Sequence, residues 1–315
     1  MSNNCPNCRG HRAKHRISAK DFDSGRKDFD LLSCPDCGLV RTSLRPTEAE
    51  LDACYSTAYY GKGQGKFLPQ LEGVLNLMTR RRARFLLGLL PPPLRKSPRV
   101  LDVGCGRAML LKAMAGLGAE CHGLERLGFD TGPEDPEIAM HLGAIESLSF
   151  GQNQFQLIVI WHVLEHLEQP RKVIEQLAAL LSPGGVMAVS VPNIDSLQAR
   201  LFGANWFHLD LPRHLWHFSP GSLASLWRPF GFDEVRSTGF SIEQNPFGFI
   251  QSFLNRWTSP PPNRLYRSMR GDRDHKLLAW LLPAACLLPL ALLESLLFAS
   301  VRLGATHTIY LRKTD

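Results

Sequence analysis

Val100-Leu101-Asp102-Val103-Gly104-Cys105-Gly106-Arg107-Ala108 is the stretch of this chain that decides its fold. An apolar strand runs into a Gly-x-Gly turn, and helical spacing resumes over residues 109–117. Open α/β sheets receive nucleotides at such a junction. Glycine lets the backbone approach the ligand, and the helix N-terminus presents N–H donors and positive potential. Met109 stands where a dinucleotide fingerprint needs its third glycine, which argues against NAD or FAD. Asp102, two residues before the first glycine, suits a cationic ligand. Glu125 closes a second strand 21 residues after Gly104, where a carboxylate can accept ribose hydroxyls.

The alternation continues outward. Residues 155–160 read as a buried central strand, and 170–181 as a helix with Val173, Ile174, Leu177, Leu180 and Leu181 on one face. Ser182-Pro-Gly-Gly185 ends that helix, and 186–191 is another buried strand. The pattern predicts a doubly wound α/β sheet. At 315 residues, with 44% hydrophobic and 21% charged residues, the chain has the composition of a globular protein of two domains at most. The formal charge of +7 has one address. Residues 73–101 hold Arg80, Arg81, Arg82, Arg84, Arg95, Lys96 and Arg99 and no acid, and the rest of the chain is balanced.

Four of the eight cysteines form two Cys-x2-Cys units, Cys5/Cys8 and Cys34/Cys37, separated by 25 residues. The N-terminus has no apolar core of a secretory signal, so a reducing, cytoplasmic setting is expected and thiolates are favoured over disulfides. Such a set suits a closed tetrahedral zinc site that supplies folding energy to a module too small for a core of its own. A redox dithiol or unrelated buried cysteines are the alternatives.

The ordered set Val-Leu-Asp-Val-Gly-Cys-Gly, His122-Gly-Leu-Glu125, Trp161-His-Val-Leu-Glu165-His166, Leu181-Ser-Pro-Gly-Gly185, Val191-Pro-Asn193 and Pro212-Arg-His214-Leu-Trp-His-Phe-Ser resembles the class I S-adenosylmethionine-dependent methyltransferases. The Val-Leu-Glu-His and Pro-Arg-His-Leu elements look like the branch that includes ubiquinone-pathway O-methyltransferases. The ribbon and a Tyr59-Tyr60-Gly61 patch resemble bacterial methyltransferases of glycan and lipid biosynthesis. The resemblance implies a seven-stranded Rossmann-like sheet with S-adenosyl-L-methionine over the carboxyl ends of its first four strands. Asp102, Gly104 and Gly106 would surround the methionine and ribose, Glu125 would hold the ribose, Ile145 would lie near adenine, and His162 would border the methyl group. Three positions depart from the pattern: Ala108 replaces a glycine, Gln156 an acid before the fourth strand, and Ala144 an acid for the adenine amino group. The implied organisation is a zinc-ribbon-like module at 1–45, a linker with a basic amphipathic helix at 46–98, the cofactor-binding core at 99–240, an apolar helical insertion at 241–304 and the last strand at 305–315.

Methyl transfer to a hydroxyl needs alignment and a base, and histidine is the natural one near neutral pH. His166 and His214 are the first candidates, with Glu165 as an orienting carboxylate; each can instead be a helix cap or a supporting contact. The segment Trp206 to Phe218 offers aromatic rings and histidines for an apolar acceptor wall.

Residues 277–301 contain eleven leucines and one charge, Glu294, interrupted by Pro283 and Pro289. The length suffices for a bilayer, but the flanking strands belong side by side in one sheet, so a broken re-entrant or interfacial form is expected. With the basic stretch at 80–84, this points to an anionic membrane at its inner face and to a small-molecule or lipid-linked acceptor. A buried homodimer helix pair is the alternative. Against an RNA methyltransferase or RNA-binding ribbon stand the modest charge of residues 1–45, nine basic against five acidic, and the lack of an Asn/Asp-Pro-Pro-Tyr-type loop after the fourth strand. A non-catalytic scaffold with the same fold is the third reading.

Overall fold

The computed structural model describes residues 5, 7–22, 27–43, 69–126, 135–145, 150–258, 262–269 and 277–314; the Tyr/Gly-rich patch at 55–65 lies outside the described residues. The chain forms two compact units, one of residues 69–190, 226–237 and 308–315, the other of residues 1–68, 191–225 and 238–307.

The first unit carries a seven-stranded sheet. Its strands are β4 (Arg99–Val103), β5 (Glu120–Glu125), β6 (Ile138–Leu142), β7 (Phe155–Trp161), β8 (Leu181–Pro192), β10 (Phe232–Thr238) and β11 (Thr306–Lys313), in the order β6-β5-β4-β7-β8-β11-β10. The β6-β5-β4-β7-β8 portion is parallel, with Asp102 registered against Gly123 on one side and Val159 on the other. Such strands are buried on both faces, hence the largely apolar β4 and β7, interrupted inside the strands by Asp102 and Gln156. Helix α1 (Pro69–Gly88) brings Ala83 and Leu86 into the core made with α2 (Met109–Ala115), where Leu110, Leu111 and Met114 are buried. Gln156 is a brace: its Oε1 accepts from the Arg99 N–H at 2.8 Å, and its Nε2 donates to Ser182 Oγ at 3.0 Å. Helix α3 (Pro170–Leu180) buries Val173, Ile174 and Leu177 of the predicted face, leaves Leu180 half-buried, and passes directly into β8.

The second unit joins the cysteine-bearing residues to a helical cluster. Strands β1 (Lys14–Lys20), β2 (Asp28–Ser33), β3 (Val40–Thr42) and β9 (Trp216–His217) form a four-stranded sheet in that order, so the ribbon strands continue into the Pro-Arg-His-Leu-Trp-His segment. Thr42, buried, donates its hydroxyl to the His214 carbonyl at 2.8 Å and lies 3.2 Å from His217 Nε2. The apolar core gathers Phe22, Phe29 and Leu31 from the ribbon with Trp206, Leu211, Phe249 and Ala291. Its helices are α4 (Leu197–Phe202), α5 (Pro220–Trp227, which begins in this unit), α6 (Asn245–Trp257), α7 (Arg264–Met269) and α8 (Leu277–Ala299).

Helix α8 corrects one expectation. Pro283 and Pro289 lie inside a continuous helix, with no re-entrant break. A proline removes the donor to the carbonyl four residues earlier. Ala279 and Ala285, whose carbonyls lose that donor, are both exposed residues.

Thr42→Val removes two buried polar contacts of the β3–β9 junction while keeping the side-chain shape. It is expected to lower stability by about 1–2 kcal/mol, read by thermal or urea unfolding.

Candidate functional site

The strand-to-helix junction after β4 is built as the sequence requires. Gly104 has φ +71°, and a Cβ there would overlap the Val163 side chain. Its N–H donates to the Leu124 carbonyl at 2.8 Å, which seats the turn on the end of β5. Gly106, at φ +54°, has open space on its side-chain face. Its N–H donates to Glu125 Oε2 at 2.8 Å, and the Arg126 N–H donates to Oε1 at 2.9 Å. Ala108 occupies the left-handed region at φ +55° as the N-cap of α2, a conformation that costs a non-glycine residue about 1–2 kcal/mol.

Asp102 is 5% exposed. Burial, then the charge of Glu125, push its carboxyl up to about 7, against the pull of the Arg82 guanidinium. Two carboxylates at the mouth of a parallel sheet repel each other, and a bound cation relieves that repulsion. A ligand combining a sulfonium and an ammonium with ribose hydroxyls therefore fits Asp102, Glu125 and the open face of Gly106.

At the carboxyl end of β7, His162 sits at φ +54° and its N–H donates to the Ser190 carbonyl at 2.9 Å. Its Nδ1 lies 3.3 Å from Oε1 of Glu165, which is 1% exposed. The Nε2 atom is buried with no hydrogen-bond partner among the described residues, a polar atom held ready for a ligand. A β-strand ending in a strained histidine locked by a buried carboxylate is a costly arrangement, of the kind found at functional sites. His166 closes the short turn, donating its N–H to the Val163 carbonyl at 2.9 Å. Ile145 is buried.

Asp102, Gly104, Gly106, Glu125, Ile145, His162, Glu165 and His166 thus all belong to the sheet-bearing unit, whereas His214 belongs to the other. There His214 is buried, with Nδ1 2.9 Å from the His208 carbonyl and Nε2 3.7 Å from Asp210 Oδ2. The expected aromatic acceptor wall is largely interior: Trp206, His208, Trp216, His217 and Phe218 are all buried, and Trp206 belongs to the unit's core.

Sequence reasoning missed Arg82. It assigned the whole basic stretch to the surface, yet the Arg82 guanidinium lies 4.1 Å from the Trp161 ring, and its charge reaches Asp102. Arg80, Arg81 and Arg84 are exposed. The signal was the helical spacing: residue 82 is three and four before Phe85 and Leu86, which face the core.

In the other unit the four cysteine sulfurs lie within 4.8 Å of one another, with Cys5 Sγ to Cys37 Sγ 3.6 Å and Cys8 Sγ to Cys34 Sγ 3.5 Å. Disulfides need about 2.05 Å, and sulfurs around one tetrahedral zinc at about 2.3 Å are about 3.8 Å apart. Each knuckle closes with a bond back to its first cysteine, Arg9 N–H to the Cys5 carbonyl at 2.8 Å and Gly38 N–H to the Cys34 carbonyl at 2.9 Å. Burial pushes the Cys5 and Cys37 thiols up, so the cluster favours a cation when its thiols ionise. The donor set fits zinc.

A family model described as a methyltransferase domain matches residues 74–237. The ubiquinone biosynthesis O-methyltransferase of Cereibacter sphaeroides (strain ATCC 17029) is 28% identical over 236 residues, 68% of this chain and 93% of its own length. The protein of that name from Bordetella avium is 33% identical over 171 residues, 49% of this chain and 69% of its own. Among solved structures, the [4+2]-cyclase SpnF aligns with a TM-score of 0.50 at 16% identity, over 86% of this chain and 97% of its own, a likeness of fold.

The folded chain holds the Asp102 proton more tightly than an unfolded chain does, at about 7 against an ordinary 3.8. Its ionisation therefore destabilises the fold as pH rises from about 4 to about 7, by on the order of 4 kcal/mol above that range. Asp102→Asn is expected to raise the melting temperature at about pH 8, to leave it little changed at about pH 4, and to weaken cofactor binding. Thermal scans across pH read the first two and calorimetry the third.

Proposed function

This chain belongs to the methyltransferase-domain family and is an S-adenosylmethionine-dependent methyltransferase, and on that premise we propose that it methylates a hydroxyl of an apolar acceptor. The acceptor class is an isoprenoid, a lipid or a lipid-linked glycan, met at the cytoplasmic face of a membrane. The observation that carries the transfer is the acidic cradle, Asp102 beside Glu125 behind a glycine turn, with the bare Nε2 of His162 at the end of the neighbouring strand. The hydroxyl acceptor is supported by the relatives named for O-methylation in ubiquinone biosynthesis.

S-adenosyl-L-methionine supplies, when bound, a methyl group made electrophilic by its sulfonium. Asp102 would face the cationic end, Gly104 and Gly106 would let the backbone approach, Glu125 would accept ribose hydroxyls, and Ile145 would border the adenine. His162 keeps one ring orientation because Glu165 holds Nδ1, which leaves Nε2 to line the transfer path. His166 is the first base to test, and His214 the alternative. Alignment lowers most of the barrier, and a base adds about 10²–10⁴-fold.

We assign zinc to Cys5, Cys8, Cys34 and Cys37 as a structural ion. All four positions come from the protein, so no coordination position is left for substrate. The ribbon strands carry β9 on their edge, so the ion would stabilise the fold around His214 and His217.

The direct experiment is mass spectrometry of lipid and glycan extracts from cells with and without the protein. A species heavier by one CH2 is expected only where the protein and its cofactor are present; identical extracts would remove the acceptor reading. His166→Ala should lower kcat about 100-fold or more with an unchanged cofactor Kd, and Gly104→Ala should abolish cofactor binding itself. A chelator strong enough for zinc should release about one metal ion per chain and melt the β1–β3 sheet, seen as a change in the emission of buried Trp216.

A further inference from the structure

Helix α8 is apolar on every side, but the fold uses one side only. Trp280, Ala284, Leu287 and Ala291 repeat at helical spacing and pack on the core of their unit. Glu294 and Ser295 extend that stripe and are buried. Glu294 is the one Asp, Glu, Lys or Arg in the helix, and its Oε2 is held inward: Gln198 Nε2 donates to Glu294 Oε2 at 2.8 Å and to the Asn245 carbonyl at 2.9 Å. The opposite side is leucine in water, including Leu282 at 72% exposure, Leu296 at 61%, Leu297 at 57% and Leu293 at 53%. A patch of this kind marks an interaction surface.

Two observations say what covers it. The first is charge. Across the described residues of α6, α7 and α8 the only acid is the buried Glu294, against basic Arg256, Arg264 and Arg267; of the flanking residues, half-buried Glu243 precedes α6 and exposed Arg302 follows α8, so the balance stays basic. The second is the aromatic edge. Gln198 ties the start of α6 to the end of α8, so the two helices run in opposite directions and the end of α6 lies toward the start of α8. At that end Trp257 is 70% exposed with the Arg256 guanidinium 5.6 Å from its ring, while Arg264 lies 5.9 Å from the ring of Trp280, on the packed side of α8. Indole and guanidinium groups beside exposed leucines are the composition of the membrane–water interface. A second copy on the same face would set arginines against arginines. Anionic headgroups above acyl chains satisfy both the charge and the leucines. The helix has the length and hydropathy of a membrane span, 21 residues at a mean hydropathy of 2.1. Its buried stripe, with Glu294 bonded to Gln198, holds it against its own unit instead.

We infer that the exposed leucine face of α8, with Arg256 and Trp257 at one end and Arg302 at the other, docks in the plane of an anionic lipid bilayer. This deepens the lipid-acceptor reading and rests on it for the purpose of docking; the surface itself is argued from these residues. The test is flotation of the full-length protein with vesicles of phosphatidylcholine alone or mixed with phosphatidylglycerol, with S-adenosylmethionine binding measured on the same samples. The protein should float with the anionic vesicles and less so as salt is raised. Leu282→Glu/Leu293→Glu/Leu297→Glu should abolish flotation with melting temperature and cofactor binding unchanged. Arg256→Gln/Arg302→Gln, a milder variant, should weaken it about five-fold per arginine. Absence of flotation with anionic vesicles would overturn the inference. So would a solution dimer, by analytical ultracentrifugation, that the three glutamates dissociate. Flotation without cofactor binding would leave the surface standing and remove the methyltransferase reading, so the two failures are distinct.

Discussion

A carboxyl group buried at the end of a parallel strand is the constraint around which the sheet-bearing unit is organised. Asp102 lies between β5 and β7, nearly without solvent and within reach of a second carboxylate, Glu125. Such a pair is unfavourable in a protein that binds nothing. The surrounding residues moderate the cost without removing it. Arg82 reaches in from α1 over the Trp161 ring, and the backbone of Gly106 and Arg126 engages the Glu125 oxygens. The remaining imbalance is of the kind that a bound cation relieves. Fold stability is given up locally for a site pre-formed around the charge it receives.

Much of this was legible in the sequence because it depends on local chemistry. Gly104 can only be glycine beside Val163, and the strand–turn–helix pattern marks the ligand end of the sheet. The cysteine pairs announce a tetrahedral cluster by spacing alone. The rest depends on tertiary partners. Strand β9 is two residues long, too short for any periodicity, so its pairing with the ribbon leaves no sequence signal. The burial of His208, His214 and His217 was not legible either, because histidine and aromatic residues have the same sequence signature at an exposed wall and in a hydrogen-bonded interior. The left-handed backbone of His162, and its pairing with Glu165, follow from the turn that ends β7. Arg82 was misread because a charge run suggests a surface, while helical spacing turns one of its members inward.

The two units divide their tasks along chemical lines. One presents glycine, carboxylates and imidazole for a polar, charged cofactor. The other combines a four-thiol cluster with helices whose outer face is leucine, tryptophan and arginine. The proline-containing helix α8 keeps that outer face while its inner stripe stays packed on its own unit through Ala291 and Glu294.

The central claim is that Asp102 and Glu125 form a site for a cationic cofactor, and calorimetric titration with S-adenosylmethionine tests it most directly. Measured in buffers of different ionisation enthalpy, binding should be saturable and should release more protons at about pH 6.5 than at about pH 8.5, since the Asp102 carboxyl, held at about 7 in the free protein, gives up its proton to the bound cation. Absence of binding, or proton release unchanged across that interval, would contradict the account.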